Sequence, residues 1–174
     1  IRAEETMRNV KNLNQDWMFM KDCGEAFTAM DELTERGEQI CLPHTWNGVD
    51  GQDGGNDYFR GACAYVKCLK KEDIPAGDKV YLEICGANSS ADVYMNGEKL
   101  AHHDGGYSTF RANITELLAD ENEIVVAVDN APNDRVYPQM ADFTFYGGLY
   151  RNVNLIAVNK AHFDLDYYGG SGLK

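Results

Sequence analysis

The sequence predicts an all-β fold, a jelly-roll β-sandwich with little helix, and three observations carry this prediction. Apolar and polar residues alternate with a period of two through much of the chain. Gly-rich turns separate these short runs. Only two segments have the signals of a helix, and both are short: residues 29–36, stopped by Gly37, and residues 115–118, capped by Asn113. A chain of 174 residues is a usual size for one such domain.

The alternating runs predict strands whose apolar face is buried against a second sheet. An early run contains Trp17 and Phe19, and residues 61–69 form a longer run rich in Ala, Cys, Tyr and Val. Asn96-Gly97 lies between two runs and predicts a tight type I′ hairpin, because both residues accept a positive φ. The later buried faces are the alternate residues Val80, Leu82, Ile84, Ala91, Val93, Met95, Ile124, Val126, Val128, Val153, Leu155 and Ala157.

Charge and cysteine content exclude several classes of function. The net charge of −12 argues against nucleic acid or an anionic membrane as partner, since both require a basic patch. No apolar run approaches the ~20 residues of a membrane span. The cysteine count is odd and no C-x-x-C occurs, so the cysteines are expected to be small buried hydrophobes in a reducing, cytoplasmic protein. One disulfide in an extracytoplasmic parent stays open as the alternative.

Side chains that carry catalysis or bind metals are poorly represented. His102 and His103 are adjacent in a strand and therefore point to opposite faces, so they cannot chelate one ion. His44 is a lone loop histidine, which predicts a structural hydrogen bond. Asn122-Glu123 predicts a turn into a strand rather than half of a catalytic carboxylate pair. We therefore expect no catalytic residue, structural metal or cofactor in this chain, and Na⁺ or Mg²⁺ is left open for a longer parent.

The long loop from Trp46 to Tyr58 is polar, glycine-rich and flanked by aromatic residues. A loop of this length in a small β domain is often functional, which makes it a candidate to contact a sugar. A solvated turn is the alternative. The acidic residues in the loop lack the ordered ligand pattern of a calcium loop.

The segment from Asp142 to Leu155 joins an aromatic-rich loop to a double-glycine turn and then to a strand. Aromatic faces cover the apolar side of a pyranose, and a fixed carboxylate accepts hydrogen bonds from neighbouring hydroxyls. Asp142 is therefore a candidate sugar ligand. Its alternative is a structural role, in which it bonds loop amides or pairs with Arg135 or Arg151.

Five blocks, in this order and spacing, resemble the N-terminal sugar-binding domain of glycoside hydrolase family 2, the β-galactosidase and β-glucuronidase family. The resemblance covers roughly residues 12–158. The blocks are Asn14-Gln15-Asp16-Trp17-Met18-Phe19, Leu42-Pro43-His44-Thr45-Trp46, Ala91-Asp92-Val93-Tyr94-Met95-Asn96-Gly97, Asn113-Ile114-Thr115-Glu116-Leu117-Leu118 with Asn122-Glu123-Ile124-Val125-Val126, and Gly147-Gly148-Leu149-Tyr150-Arg151-Asn152-Val153.

The resemblance implies a galactose-binding-like jelly roll that precedes an immunoglobulin-like domain and a TIM barrel in a longer parent. The barrel would hold both catalytic glutamates; it needs ~250 residues and cannot lie in this chain. The resemblance also implies that Asp142 reaches the terminal sugar in the barrel's pocket, and that Trp46, Asn47 and Asp50 belong to a second sugar-facing loop.

The expected domain therefore spans residues 1–160, and residues 161–174 are expected to connect to a following domain. The leading hypothesis is a non-catalytic domain of a β-galactosidase-like hydrolase, inactive alone, that forms the rim of an active site in the barrel. A self-standing lectin module and an assembly domain are the alternatives. Galactoside or glucuronide is the expected sugar, and the residues do not separate the two. A homo-oligomeric parent is left open.

Overall fold

The structure, a computed structural model, describes residues 8–23, 36–50 and 58–166. These residues form two antiparallel sheets, and the predicted all-β sandwich is confirmed. The strands are β1 (Arg8–Asn12), β2 (Trp17–Met20), β3 (Glu38–Ile40), β4 (Ala62–Lys70), β5 (Lys79–Ile84), β6 (Ser90–Met95), β7 (Glu98–Asp104), β8 (Phe110–Asn113), β9 (Glu121–Asp129) and β10 (Val153–Val158). Single 3₁₀ turns lie at Lys71–Asp73 and Thr115–Leu117.

Helix contributes little to the described part of the chain. The turn predicted at residues 115–118 is confirmed as a 3₁₀ turn, and the side chain of Asn113 accepts a hydrogen bond from the Thr115 amide at 3.1 Å. The helix expected at residues 29–36 falls almost entirely outside the described residues. No described helix has the length and apolar character needed to cross a membrane.

The core lies between a four-stranded sheet, β1-β10-β5-β8, and a six-stranded sheet, β3-β2-β4-β9-β6-β7. Strand β9 shows how the alternation builds it. Ile124, Val126 and Val128 are fully buried, whereas the residues between them are less so. Burying each such side chain contributes about 1.5–3 kcal/mol. The inward faces predicted for β5, β6 and β10 are also confirmed.

The hairpin predicted at Asn96-Gly97 joins β6 to β7. The φ angles of the two residues are 50° and 84°, as a type I′ turn requires. The side-chain amide nitrogen of Asn96 also donates to the Leu117 carbonyl at 2.8 Å. The side-chain oxygen of Asn96 accepts a hydrogen bond from the Glu123 backbone amide at 2.8 Å. Local turn chemistry and these bonds together fix the hairpin against the start of β9.

The outer face of the four-stranded sheet differs from the simple alternation. Tyr81, Ile156 and Val158 point away from the core and are nevertheless buried. Leu165, which follows β10, packs with them, and the ring of His162 meets Tyr81 edge-on at 6.0 Å between centroids. The chain after β10 therefore turns back and covers its own sheet.

The predicted connector, residues 161–174, is described only as far as Asp166. No strand forms in its described part, although Phe163 and Leu165 alternate in the sequence. Phe163 is 70% exposed, whereas Leu165 is 2% exposed. The continuation into a further domain stays a prediction.

One end of the sandwich gathers the loops that the sequence singles out. Strands β4 and β6 begin there and β9 ends there, because they are antiparallel neighbours. The loop from Leu42 to Asp50 and the loop from Ala131 to Gly148 both reach this end. The second loop returns to the sheet through paired backbone bonds between Asn88 and Gly148, each 3.1 Å.

Candidate functional site

The double-glycine turn is required by close packing. A β-carbon on Gly147 would lie 2.3 Å from Cζ2 of Trp46 and 2.6 Å from the amide nitrogen of Asn130. Gly148 has a φ of 121°, and its β-carbon would lie 2.5 Å from the Tyr65 hydroxyl. No side chain fits at either position, so the turn lies flat against Trp46, Asn130 and Tyr65.

Asn47 is the centre of a buried hydrogen-bond network. Its amide nitrogen donates to Oδ1 of Asp50 at 2.8 Å and to the Phe59 carbonyl at 3.1 Å. Its oxygen accepts the Gly147 amide at 2.9 Å and the Asn130 side-chain amide at 3.3 Å. Asn47 is fully buried, and this set uses both donors and both lone pairs of its amide. Nothing on Asn47 is left to offer a sugar in this conformation.

Asp50 and Trp46, the other predicted residues of this loop, are also directed inward. The second carboxylate oxygen of Asp50 accepts the Phe59 amide at 3.1 Å, and the residue is 6% exposed. The Trp46 indole is 6% exposed and lies parallel to the Phe19 ring, with 6.2 Å between centroids. These positions suit residues that hold the loop in place. Residues 51–57 of the predicted loop lie outside the described residues.

His44 is confirmed as a structural hydrogen-bonder. Its Nδ1 lies 2.8 Å from the Tyr65 hydroxyl, and its backbone amide donates to the Leu149 carbonyl at 2.9 Å. Burial lowers the pKa of His44, so the ring is neutral near pH 7. Burial likewise raises the pKa of the Tyr65 hydroxyl well above its ordinary value. This neutral, packed pair joins the first loop to β4, and the backbone bond to Leu149 joins the same loop to the chain after the glycine turn.

The loop of residues 131–148 is called the aromatic loop here. Its C-terminal end is held in place through backbone carbonyl and amide groups. The Asn88 side-chain amide donates to the Tyr146 carbonyl at 3.0 Å. The Tyr58 hydroxyl donates to the Phe145 carbonyl. Together with the bond from Gly147 to Asn47, these contacts hold the two successive peptide units that join Phe145, Tyr146 and Gly147.

The N-terminal end of this loop, residues 133–139, is a turn held by its own hydrogen bonds. The Asn133 side-chain oxygen accepts the amides of Arg135 and Val136 at 2.9 and 3.0 Å. The Gln139 side chain donates to the carbonyls of Asn133 and Val136 at 2.6 and 2.7 Å. The Arg135 guanidinium lies 3.3 Å from the carboxylate of Asp104, at the end of β7. Both ends of the loop are therefore fastened to the sandwich.

His102 and His103 lie on opposite faces of β7, as predicted. His103 is 9% exposed and stacks on Phe110 with 4.3 Å between ring centroids. His102 faces outward and bridges Asp92 at 2.6 Å and Asp104 at 3.0 Å. These hydrogen bonds, first that to Asp92, raise the pKa of His102. The same Asp104 carboxylate anchors the aromatic loop.

The middle of the aromatic loop is open to solvent. Asp142 is exposed, and no described residue forms a hydrogen bond or ion pair with its carboxylate. The structural role considered for it is not seen among these residues, since Arg135 pairs with Asp104 and Arg151 donates to the Tyr107 carbonyl at 2.9 Å. The large apolar side chains around Asp142 are exposed as well: Tyr137, Met140, Phe143 and Tyr146. An exposed carboxylate that has no partner among the described residues, in a segment rich in exposed aromatic residues, is chemically suited to sugar hydroxyls.

Asn130 is the member of the site that the sequence analysis missed. It is 2% exposed, and its side-chain oxygen accepts the Gly61 amide at 2.8 Å. A signal was present, because Asn130 continues the buried register of Ile124, Val126 and Val128. A polar residue in a buried register requires buried partners, which marks it as part of a network.

Metal-binding geometry is lacking in the described ranges. Within residues 8–23, 36–50 and 58–166 no group of three or more His, Cys, Asp or Glu side chains is arranged to hold an ion. Asn122 and Glu123 lie in the first residues of β9, directly after the loop, so the expectation that they open a strand is confirmed. The buried Asn122 side chain bonds the amide and the carbonyl of Ala119, each at 2.8 Å.

Comparison with known proteins assigns the chain to a class. Residues 62–165 match the family described as glycosyl hydrolase 2, galactose-binding domain-like. This match runs from the start of β4 to the segment after β10 and covers more than half of the chain. The chain therefore belongs to this family. The resemblance drawn from the five sequence blocks is thereby confirmed.

Individual relatives bear both names used in the family. The chain is 37% identical to a beta-glucuronidase of Bacteroides fragilis over 74% of its length, and 32% identical to a beta-galactosidase of Thermoanaerobacter pseudethanolicus over 92%. Among solved structures, an FMN-binding beta-glucuronidase from Facaelibacterium prausnitzii L2-6 is 45% identical, with a TM-score of 0.82. That similarity covers 95% of this chain and 25% of the other. The chain spans 19% and 22% of the two curated relatives.

Proposed function

We propose that this chain is the non-catalytic sugar-binding domain of a family 2 glycoside hydrolase that cleaves β-glucuronides or β-galactosides. Its aromatic loop supplies Asp142 to the rim of an active site in a separate barrel domain. The parent would also contain the immunoglobulin-like domain that the family resemblance implies. The small share of each relative that the chain spans supports the presence of further domains.

The observation that carries this proposal is the contrast between the ends and the middle of the aromatic loop. Both ends are held by buried or paired groups, so the loop keeps its shape. The carboxylate of Asp142, between them, is exposed and has no partner among the described residues. A rigid loop with a free charged acceptor is pre-organised to bind hydroxyls.

Asn47 and Asp50 have a different part in this proposal. Their polar atoms bond Gly147, Asn130 and Phe59. We assign them to positioning the aromatic loop instead of contacting the sugar, and Trp46 to the packed base beneath Gly147. The sugar-binding role that the resemblance implies thus rests on Asp142.

The test is Asp142→Ala in the full-length parent, with Asp134→Ala as the matched control. Asp134 is an exposed carboxylate of the same loop. A hydrogen bond to a charged group contributes ~1.5–3 kcal/mol, so kcat/KM should fall roughly 10- to 150-fold with Asp142→Ala. The melting temperature should not change, and Asp134→Ala should match wild type in both. A normal kcat/KM in a folded Asp142→Ala enzyme would remove Asp142 from the site.

A lectin with its own site is the second candidate, favoured by the exposed side chains Tyr137, Met140 and Phe143. The two candidates differ in what the isolated chain binds. A rim domain covers one side of the sugar and should bind galactose or glucuronate with a Kd of ~1 mM or weaker, about 4 kcal/mol. Micromolar binding in calorimetry would support the lectin.

A further inference from the structure

His102, on the outward side of the edge strand β7, lies between two carboxylates. Its Nδ1 is 2.6 Å from Oδ1 of Asp92, on β6, and its Nε2 is 3.0 Å from Oδ2 of Asp104, at the end of β7. A neutral imidazole has one N–H, so both contacts are hydrogen bonds only when the ring carries two protons. The arrangement is therefore that of the imidazolium, and it changes when His102 loses a proton.

The carboxylate of Asp104 is shared between His102 and the aromatic loop. It accepts the Ser90 hydroxyl at 2.6 Å, and the Nε of Arg135 lies 3.3 Å from each of its oxygens. His102 and Arg135 thus contact the same oxygen, Oδ2. Burial opposes ionisation, but these hydrogen bonds hold the pKa of Asp104 below its ordinary value, so the group is charged near neutral pH. One negative charge is divided between two cations.

The groups around His102 determine which contact breaks when the ring becomes neutral. In the described part of the chain, its charged surroundings are Asp92 from β6, Lys99 and Asp104 from β7, and Arg135 from the aromatic loop. The bond to Asp92 is the shorter of the two, so the remaining proton stays on Nδ1. The lone pair of Nε2 then repels Oδ2 of Asp104, and the carboxylate charge is left to Arg135.

We infer that His102 and Asp104 form a pH-sensitive anchor for the aromatic loop, in which protonated His102 competes with Arg135 for the carboxylate. The loop is held most firmly when His102 is neutral and less firmly in acid. An exposed ion pair changes an equilibrium by about 1.5- to 5-fold, which sets the size of the effect. The consequence for the position of Asp142 rests on the proposed function, whereas the anchor itself does not.

The first experiment titrates His102 by NMR in this chain, with its signals assigned from His102→Gln. Coupling between two sites is reciprocal: if protonated His102 weakens the Arg135 pair, Arg135→Gln must raise the pKa of His102. In an Asp104→Asn background this effect of Arg135→Gln should be lost, because the shared charge is gone. Arg8→Gln, on the exposed strand β1 of the other sheet, is the matched control and should leave the titration unchanged.

Two results of the titration would overturn the inference. An unchanged or lower pKa of His102 in Arg135→Gln would show that the two side chains do not compete. An equal rise in the Asp104→Asn background would show that their coupling bypasses the shared carboxylate. If Asp104→Asn does not fold, Arg135→Gln decides alone.

The second experiment measures kcat/KM of the full-length parent against pH. The ratio of His102→Gln to wild type should be about one above the pKa of His102 and roughly 1.5- to 5-fold below it, since a neutral amide does not compete with Arg135. In an Arg135→Gln background the ratio should stay near one. A ratio below one in acid would overturn the inference. A flat ratio with the expected titration would support the anchor and count against the rim role of Asp142.

Discussion

Replacing Asn47 with alanine tests the claim that a buried network, more than the loops themselves, sets the shape of the site. The substitution removes four hydrogen bonds, of 2.8, 2.9, 3.1 and 3.3 Å. The bond to the Asp50 carboxylate is charge-assisted and contributes about 1.5–3 kcal/mol, and the buried Gly147 amide left without a partner costs about 1–3 kcal/mol. These two contributions sum to about 2.5–6 kcal/mol, and because a single substitution rarely costs more than about 4–5 kcal/mol, the free energy of unfolding should fall by roughly 3–4 kcal/mol.

Urea unfolding of the chain measures this loss. In a domain of this size it corresponds to a decrease in Tm of about 6–16 °C. Asn9→Ala, on the exposed strand β1, is the matched control and should change stability by less than ~0.5 kcal/mol. Asn47→Asp has nearly the same shape, but it places a second carboxylate beside that of Asp50 and should be as damaging as alanine. A loss below about 1 kcal/mol for Asn47→Ala would refute the network.

Two further predictions concern the residues around the loop. Gly147→Ala should lower the free energy of unfolding in urea by about 1–3 kcal/mol, because its β-carbon would overlap the Trp46 indole. Gly48→Ala is the control and should be neutral, since the nearest contact of its β-carbon would be 3.7 Å. Equal effects of the two substitutions would contradict the packing. The pKa of His102 is raised by its bonds to Asp92 and Asp104, so its stabilisation is complete below the unfolded pKa of ~6.5 and disappears as pH rises through the folded pKa. His102→Gln should therefore destabilise the chain at pH 6, by less than ~1 kcal/mol because the side chain is 44% exposed. At pH 9 the stability of His102→Gln should equal that of wild type. The same difference in stability at both pH values would refute the assignment.

The sandwich could be predicted because its determinants are local. Alternation defines the inward face of β9, and Asn96-Gly97 defines the β6–β7 hairpin, through backbone preferences of the residues themselves. The outer face of the four-stranded sheet could not be predicted in this way. Burial of Tyr81 and Ile156 depends on the chain after β10 folding back over them, which periodicity within a strand does not contain.

The site was predictable only in part, for the same physical reason. An exposed carboxylate among aromatic residues can be recognised from sequence, and this marks Asp142. The inward orientation of Asn47 comes from its bond to Gly147, 100 residues away, and from Asn130, 83 residues away. Such long-range contacts leave no periodic pattern, although an asparagine in the buried register of β9 is a local sign that a network exists.

The most direct test of the account is a crystal structure of the full-length parent, with its catalytic nucleophile removed, bound to an aryl β-glucuronide. The proposed function predicts an oxygen of the Asp142 carboxylate within about 2.5–3.0 Å of a hydroxyl oxygen of the terminal sugar. It also predicts that Asn47 and Asp50 keep their bonds to Gly147 and Phe59. An ordered loop with Asp142 more than ~5 Å from every sugar hydroxyl, too far for a hydrogen bond, would contradict the central claim.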